Sequence, residues 1–276
     1  MMKGSYQEKP ELPAVMGLEL AGTIEAVGTD VTHLKVGQRV AVFGGQGGLA
    51  EYGAFPAERC TPLPDGLSFP AAAAAQVAYG TSHVALDHLA KTQSGDTVLV
   101  LGASGGVGLT AVEIAAQMGA TVIACARGAD KLQIAKAAGA HHLLDSDDPE
   151  LRQKVKALGG ADVVYDPIGE PLFSRALRSC KPGARYLIIG FAGGTVPQIP
   201  ANYLLVKNIS VLGLYWGGYL TFAPEILTNS MGQLFKWLAD GRLTPHISHQ
   251  LPLDQVEDGL ELLRSRKSTG KIVITP

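Results

Sequence analysis

The sequence predicts an α/β fold in which a doubly wound parallel sheet is joined to a smaller β domain. Three observations carry this. Between Thr97 and Leu214, six short apolar runs alternate with segments of mostly helical length. The first run leads directly into Gly102-Ala103-Ser104-Gly105-Gly106-Val107-Gly108. Before residue 75 the chain has only short runs broken by glycine and proline, with no stretch that reads as a long amphipathic helix. Short continuous apolar strands are what a sheet covered on both faces requires. Their alternation with helices is the mark of a parallel layered architecture.

The bulk properties narrow the class. With 276 residues, one or two domains are expected at roughly 100–200 residues each. A formal net charge of -2 gives no basic surplus to favour nucleic acid or an anionic membrane. Cys60, Cys125 and Cys180 are far apart and form no Cys-x-x-Cys pair. That argues against a thiolate zinc site and a disulfide framework, and points to a reducing, cytoplasmic setting. No apolar run reaches the ~20 residues of a membrane span. Met1–Tyr6 has no apolar core and does not read as a signal peptide.

Taken in order, Ala21–Val27, Gly37–Phe43 and Ala50–Phe55 are the strand candidates of the first part, which closes at a loop marked by Pro62, Pro64, Asp65 and Gly66. Phe69–Ala90 is Ala-rich and reads as helix, in two pieces around Gly80. Strands are then expected at Thr97–Leu101, Thr121–Ala126, His142–Leu144, Val163–Tyr165, Arg185–Ile189 and Ser210–Leu214. The helices between them are Gly106–Met118, Ala129–Ala138, Glu150–Leu158 and Leu172–Ser179. Helices near Ser230–Asp240 and Leu253–Arg264 and a last strand Lys271–Thr275 complete the chain.

A strand, a glycine turn, a helix and a second strand in succession make the first half of a dinucleotide-binding Rossmann unit. Gly105 lets the backbone approach a pyrophosphate, and Gly108 lets the helix pack closely on the strand. The helix N-terminus offers its N–H groups to phosphate, so Ala103, Ser104, Gly105, Gly106, Val107 and Gly108 are candidate contacts. Ala103 stands where the fingerprint usually has its first glycine. An NAD-binding unit usually ends its second strand in Asp or Glu, for the ribose 2′-OH. Here that end reads Ala126-Arg127-Gly128-Ala129-Asp130-Lys131. Arg127 and Lys131 suit a 2′-phosphate and therefore NADPH. The alternative is that both are solvated surface charges.

The chain resembles the zinc-independent medium-chain dehydrogenases/reductases of the quinone oxidoreductase type, over nearly its whole length. The resemblance rests on Gly102–Gly108, on Leu20–Gly28 with Val36–Val40, on Ala50-Glu51-Tyr52, on Leu63–Ser68 and on Gly270–Val273. Leu204–Gly217 and Arg266–Lys271 are similar to one subgroup, the quinone oxidoreductase-like proteins. It implies a GroES-like β domain at 1–75, an NADP-binding Rossmann domain at 76–220 and a return to the first domain at 221–276. Zinc relatives carry Gly-His-Glu where this chain has Gly17-Leu18-Glu19, and the four-cysteine zinc loop is absent, so no metal is expected. The chain begins at the family's Gly-x-Tyr-Gln segment, here Gly4-Ser5-Tyr6-Gln7. The resemblance therefore implies a GroES-like domain shortened at its N-terminus, with an exposed sheet edge.

The activity implied is NADPH-dependent reduction of a quinone or an α,β-unsaturated carbonyl, the cofactor carrying the hydride. Thr81 matches a family threonine close to the nicotinamide. Asp166 and Gly169 follow the fourth strand of the sheet, Phe191, Ala192 and Gly193 follow the fifth, and Lys271 approaches from the last strand. The segments after the fourth and fifth strands sit at the carboxyl ends where open α/β sheets bind ligands. Tyr6 and Tyr79 are candidates to line the substrate cleft or donate a proton, with core or rim packing the equal alternative. The tyrosine that packs on adenine in many relatives has no counterpart in Leu144-Asp145-Ser146. Relatives are commonly dimers through the edge of the Rossmann sheet, here Ser210–Leu214. Two other readings stay open: an enoyl-thioester reductase of the same fold, and a non-catalytic NADPH-binding protein, which the shortened N-terminus permits.

Overall fold

A computed structural model of the chain describes residues 11–276, and Tyr6 lies outside them. The chain divides into two compact units. One comprises residues up to Val77 with Ile247–Ser268 and Ile272–Pro276, and the other Ala78–His246 with Thr269–Lys271. The sequence expectation set the return to the first unit at 221. The helix at Pro224–Ala239 instead belongs to the second unit, and the return comes at Ile247.

The first unit opens with β1 (Glu19–Thr23), β2 (Arg39–Phe43) and β3 (Cys60–Pro62). β2 is central and antiparallel to both neighbours, with Ala21 facing Ala41 and Val42 facing Cys60. Leu34, Val40 and Val42 form its core, with Leu20, Ile24 and Phe55 against them. The Gln76 amide donates to the carbonyls of Leu20 and Val42, at 3.0 and 3.2 Å, and ties the incoming helix to this sheet. Ala50–Phe55 is not a strand, contrary to its sequence pattern. The Phe55 ring occupies the space that side chains at Gly44, Gly47 and Gly53 would need, so the backbone folds around the ring and pairing resumes only at Cys60. Pro62 is tolerated because β3 is an edge strand.

Helix α1 (Phe69–His83) leads from the first unit into the second and continues as a π-helical turn, Val84–Leu89. It runs unbroken through Gly80, where the sequence suggests a division. A Cβ at Gly80 would lie 2.8 Å from Cζ2 of the buried Trp216 indole, so this glycine serves close packing and not a break.

The second unit is a six-stranded parallel sheet. Its strands and helices alternate as β4 (Thr97–Leu101), α2 (Gly106–Gln117), β5 (Thr121–Ala126), α3 (Ala129–Ala137) and β6 (His142–Asp145). They continue as α4 (Leu151–Ala157), β7 (Ala161–Asp166), α5 (Leu172–Leu177), β8 (Cys180–Ile188), α6 (Ala201–Lys207) and β9 (Ser210–Gly213). The order is β6-β5-β4-β7-β8-β9. Connections therefore run one way from β4 to β6 and then cross to β7, which puts a topological switch point between β4 and β7. All five residues of β4 are buried, as a strand covered on both faces must be. Leu99, Leu101, Ile123, Val164, Phe173 and Tyr186 form the core of one layer, with the last two rings edge to face at 4.9 Å. The short α7 (Tyr219–Phe222) and the longer α8 (Pro224–Ala239) close the unit.

The chain then returns through β10 (Ile247–Pro252), α9 (Val256–Arg264) and β11 (Lys271–Thr275), with β10 pairing β11. β10 reads Ile-Ser-His-Gln-Leu-Pro, too polar to announce itself as a strand. Replacing Gly80 by Ala is expected to destabilise the protein by about 1–3 kcal/mol, because the enclosed Trp216 ring has little room to move. Denaturant unfolding followed by tryptophan fluorescence measures this.

Candidate active site

The site begins where β4 ends. Gly102 has a φ of +62°, open to glycine at no steric cost, and its carbonyl accepts the N–H of Gly105 at 2.9 Å. Ala103 is buried and its N–H donates to the Cys125 carbonyl at 3.0 Å, so the missing first glycine leaves the turn intact. α2 starts at Gly106 with Gly105 as N-cap, and no side chain caps it. The uncapped N–H groups and the helix dipole make this end a cradle for an anion. A Cβ at Gly108 would lie 2.1 Å from the Gly102 carbonyl oxygen. Only glycine allows the helix to pass so close to the turn.

Side chains hold that first turn from behind. The Ser82 hydroxyl donates to the Val107 carbonyl at 3.0 Å and lies 2.8 Å from Thr110 Oγ1 and 3.0 Å from the Tyr165 hydroxyl. Thr81, buried in α1, is its neighbour. From the end of the chain, the Gly270 N–H donates to the Ser104 carbonyl at 3.0 Å. The Lys271 stem passes the start of α2, its Cδ 3.8 Å from where a Cβ on Gly106 would be. Ser82, Thr110 and Tyr165 were not singled out in the sequence. Their only signal is hydroxyls in otherwise apolar, Ala-rich segments.

At the end of β5, Arg127 is exposed and its Nε lies 3.2 Å from an Asp147 carboxylate oxygen. Lys131 follows in the first turns of α3 and is half-buried. Asp145 is engaged locally: its carboxylate accepts the N–H of Gly128 at 3.1 Å and that of Asp147 at 2.9 Å. The loops after β7 and β8 lie together. The Ala192 and Gly193 N–H groups donate to the carbonyls of Pro167 and Ile168, at 3.0 and 2.8 Å. A Cβ on Gly169 would meet the Thr195 carbonyl at 2.7 Å, and one on Gly193 the Glu170 carbonyl at 2.5 Å. Phe191 stands exposed at their rim.

Two of the candidate residues are buried. Asp166, a candidate cofactor contact, has no exposed surface. It accepts the N–H groups of Ile168 and Gly169 and the Tyr186 hydroxyl, and faces inward. Tyr79, a candidate proton donor, is also buried. Its hydroxyl donates to Glu113 at 2.5 Å, and Glu113 accepts the Thr244 N–H at 2.6 Å. Burial and the neighbouring Glu113 raise the Tyr79 pKa far above its ordinary value, so the phenol keeps its proton. Alternation and spacing place a residue on a strand or helix but do not say which face meets a ligand.

A glycine turn on an uncapped helix, at the switch point of a parallel sheet, defines a Rossmann-type nucleotide-binding protein. Residues 106–237 match the family model described as zinc-binding dehydrogenase, and residues 1–65 match the alcohol dehydrogenase GroES-like domain. A quinone oxidoreductase-like protein 2 homolog of Nematostella vectensis is 42% identical over 277 residues, covering 98% of this chain and 76% of its own length. Quinone oxidoreductase-like protein 2 of Bos taurus is 38% identical, covering 99% and 79%. Among solved structures, Escherichia coli quinone oxidoreductase complexed with NADPH is similar with a TM-score of 0.90 at 28% identity, covering 98% of this chain and 85% of that one. A mycobacterial protein complexed with NADPH gives 0.90 at 30%, with the same coverage. The chain belongs to the medium-chain dehydrogenase/reductase family, among the quinone oxidoreductase-like protein 2 homologues.

The family model's description raises zinc, and the residues present do not fit it. The Leu18 side chain offers no ligand atom. Glu19 accepts the Val77 N–H at 2.7 Å. Among the described residues no three of His, Cys, Asp and Glu come together as a metal site. Cys125 and Cys180 are buried thiols whose pKa values burial pushes up to about 12.

Two outcomes are expected. Gly108→Ala should cost about 3 kcal/mol or leave the protein unfolded, since two backbones cannot separate without shifting α2 from the sheet; thermal unfolding tests it. Burial raises the Glu113 pKa above 4.5, outweighing its bonds from Tyr79 and Thr244. A raised carboxylate contributes stability that is fully present below its unfolded pKa and is lost as pH rises through the folded value. Glu113→Gln should therefore flatten the fall in stability above pH 4.5, read from denaturation midpoints across pH.

Proposed function

We propose that this protein is an NADPH-dependent oxidoreductase that passes hydride to a quinone or an α,β-unsaturated carbonyl, without zinc. The observation that carries the reading is the uncapped start of α2 above the Gly102 turn, where a Cβ on Gly108 has no room. Similarity to quinone oxidoreductases complexed with NADPH supports it. In this reading the N–H groups of Gly106, Val107 and Gly108 hold the pyrophosphate, and the Lys271 ammonium adds charge beside them. Arg127 and Lys131 receive the 2′-phosphate, Arg127 exchanging Asp147 for a more highly charged partner. Gly169, Phe191, Ala192 and Gly193 line the nicotinamide half and shield it from water. The cofactor, when bound, supplies the hydride.

The protein in this reading is a homodimer. β9 is the edge strand of the six-stranded sheet, and Leu205, Val206 and Phe222 leave apolar surface exposed in the same unit. An edge strand with no outer neighbour among the described residues, in a unit with exposed apolar surface, favours burial against a second copy. No helix among the described residues is long and apolar enough to cross a membrane. The three cysteines are free thiols, which suits a reducing compartment such as the cytoplasm.

The test is turnover of NADPH with a quinone, an enone and an enoyl thioester in parallel. Consumption with the first two supports the reading, and consumption with the thioester alone replaces the substrate class. Arg127→Ala should weaken NADPH by about tenfold and leave NADH nearly unchanged, measured by quenching of intrinsic fluorescence. Equal weakening of both cofactors would remove Arg127 from the 2′-phosphate site.

A further inference from the structure

Asp166 is a buried carboxylate whose acceptor positions point at the protein itself. One oxygen accepts the N–H groups of Ile168 and Gly169, each at 2.8 Å. The other accepts the Tyr186 hydroxyl at 2.7 Å. Its main-chain carbonyl accepts the N–H of Ile189 at 2.9 Å, at the root of the next loop. One residue thus anchors the start of the loop after β7 and the start of the loop after β8.

Beyond those anchors the loops clasp each other. Glu170 and Thr195 form an isolated antiparallel bridge, and Ala192 and Gly193 donate to Pro167 and Ile168. The clasp also abuts the phosphate turn, because a Cβ on Gly102 would lie 2.7 Å from Ile168 Cδ1. It sits at the end of β7, the strand that borders the switch point.

A buried carboxylate is a costly way to build a strand end. Burial raises its pKa despite the three hydrogen bonds, and a well-packed apolar residue is often no less stable. What an apolar residue cannot supply is one oxygen that accepts two successive loop N–H groups and a second oxygen whose bond from Tyr186 fixes the carboxylate plane.

We propose that Asp166 is a positioning residue, oriented by Tyr186, that holds the two loops at the switch point in the shape that receives the nicotinamide half of the cofactor. The proposal rests on the NADPH reading above for what the loops receive, but not for the tie itself. It distinguishes two ends of the site: the adenosine end, held by α2 and Arg127, is independent of Asp166, and the nicotinamide end is not.

The experiment compares the full chain with Asp166→Ala, Asp166→Asn and Tyr186→Phe. Amide hydrogen exchange without ligand reports the loops. Calorimetry reports NADPH and adenosine 2′,5′-bisphosphate, which lacks the nicotinamide. In Asp166→Ala, exchange at residues 168, 169 and 189–193 should quicken. NADPH should weaken by about tenfold or more, the scale of a lost charge-assisted hydrogen bond, while the bisphosphate stays within about twofold. Asn can accept both N–H groups with its oxygen and donate to Tyr186, so Asp166→Asn should keep NADPH within about threefold of the parent. Tyr186→Phe, which keeps the ring in the core, should show the Ala pattern in weaker form and decides the matter if Asp166→Ala does not fold.

Parent-like exchange and parent-like NADPH affinity in Asp166→Ala or Tyr186→Phe would overturn the proposal. So would weakening of NADPH and bisphosphate in equal proportion, or an Asp166→Asn as impaired as Asp166→Ala. A parent that binds no NADPH would sink the cofactor reading instead, and the ligand-free exchange would still judge the tie.

Discussion

The contact on which the nucleotide-binding unit depends is the passage of α2 over the turn that ends β4. At Gly108 a single added carbon would sit 2.1 Å from the Gly102 carbonyl. That closeness brings the helix N-terminus onto the sheet's carboxyl edge, where its dipole faces outward above the switch point. Three neighbouring arrangements make sense only around it. Ser82 braces the first helical turn from α1, Ile168 abuts the turn from the loop after β7, and Gly270 bonds to it from the far end of the chain.

Much of this was legible in the sequence because the central strands are buried on both faces. Thr97–Leu101 and Thr121–Ala126 are unbroken apolar runs closed by glycine or charge, and they form strands at those bounds. Legibility fell where burial is partial. Cys60–Pro62 and Ile247–Pro252 are strands in the structure, yet their composition is polar and punctuated by proline. Conversely, Ala50–Phe55 has a strand's composition and lost that conformation to one aromatic ring nested among glycines.

The candidate site divides in the same way. The turn at Gly102–Gly108 was readable because its glycines answer a backbone requirement that recurs wherever a helix must approach a strand this closely. The burial of Asp166 and Tyr79 was not readable, because position along the chain does not reveal the direction of a side chain. Both turn inward, Asp166 to Tyr186 and Tyr79 to Glu113. The residues that brace the site, Ser82, Thr110 and Tyr165, come from three separate elements and become a set only when the sheet is assembled.

The bond between Gly270 and Ser104 has a consequence for the order of assembly. Thr269–Lys271 belongs to the nucleotide-binding unit but is parted from the rest of it by Ile247–Ser268. During synthesis the sheet from β4 to β9 can collapse on its own contacts well before Gly270 emerges from the ribosome. Until this late segment is made, the Ser104 carbonyl lacks the Gly270 N–H that it accepts in the folded protein. A nascent chain can therefore carry a formed sheet while the turn after β4 still lacks one of its contacts, which makes completion of that turn a late event in biogenesis.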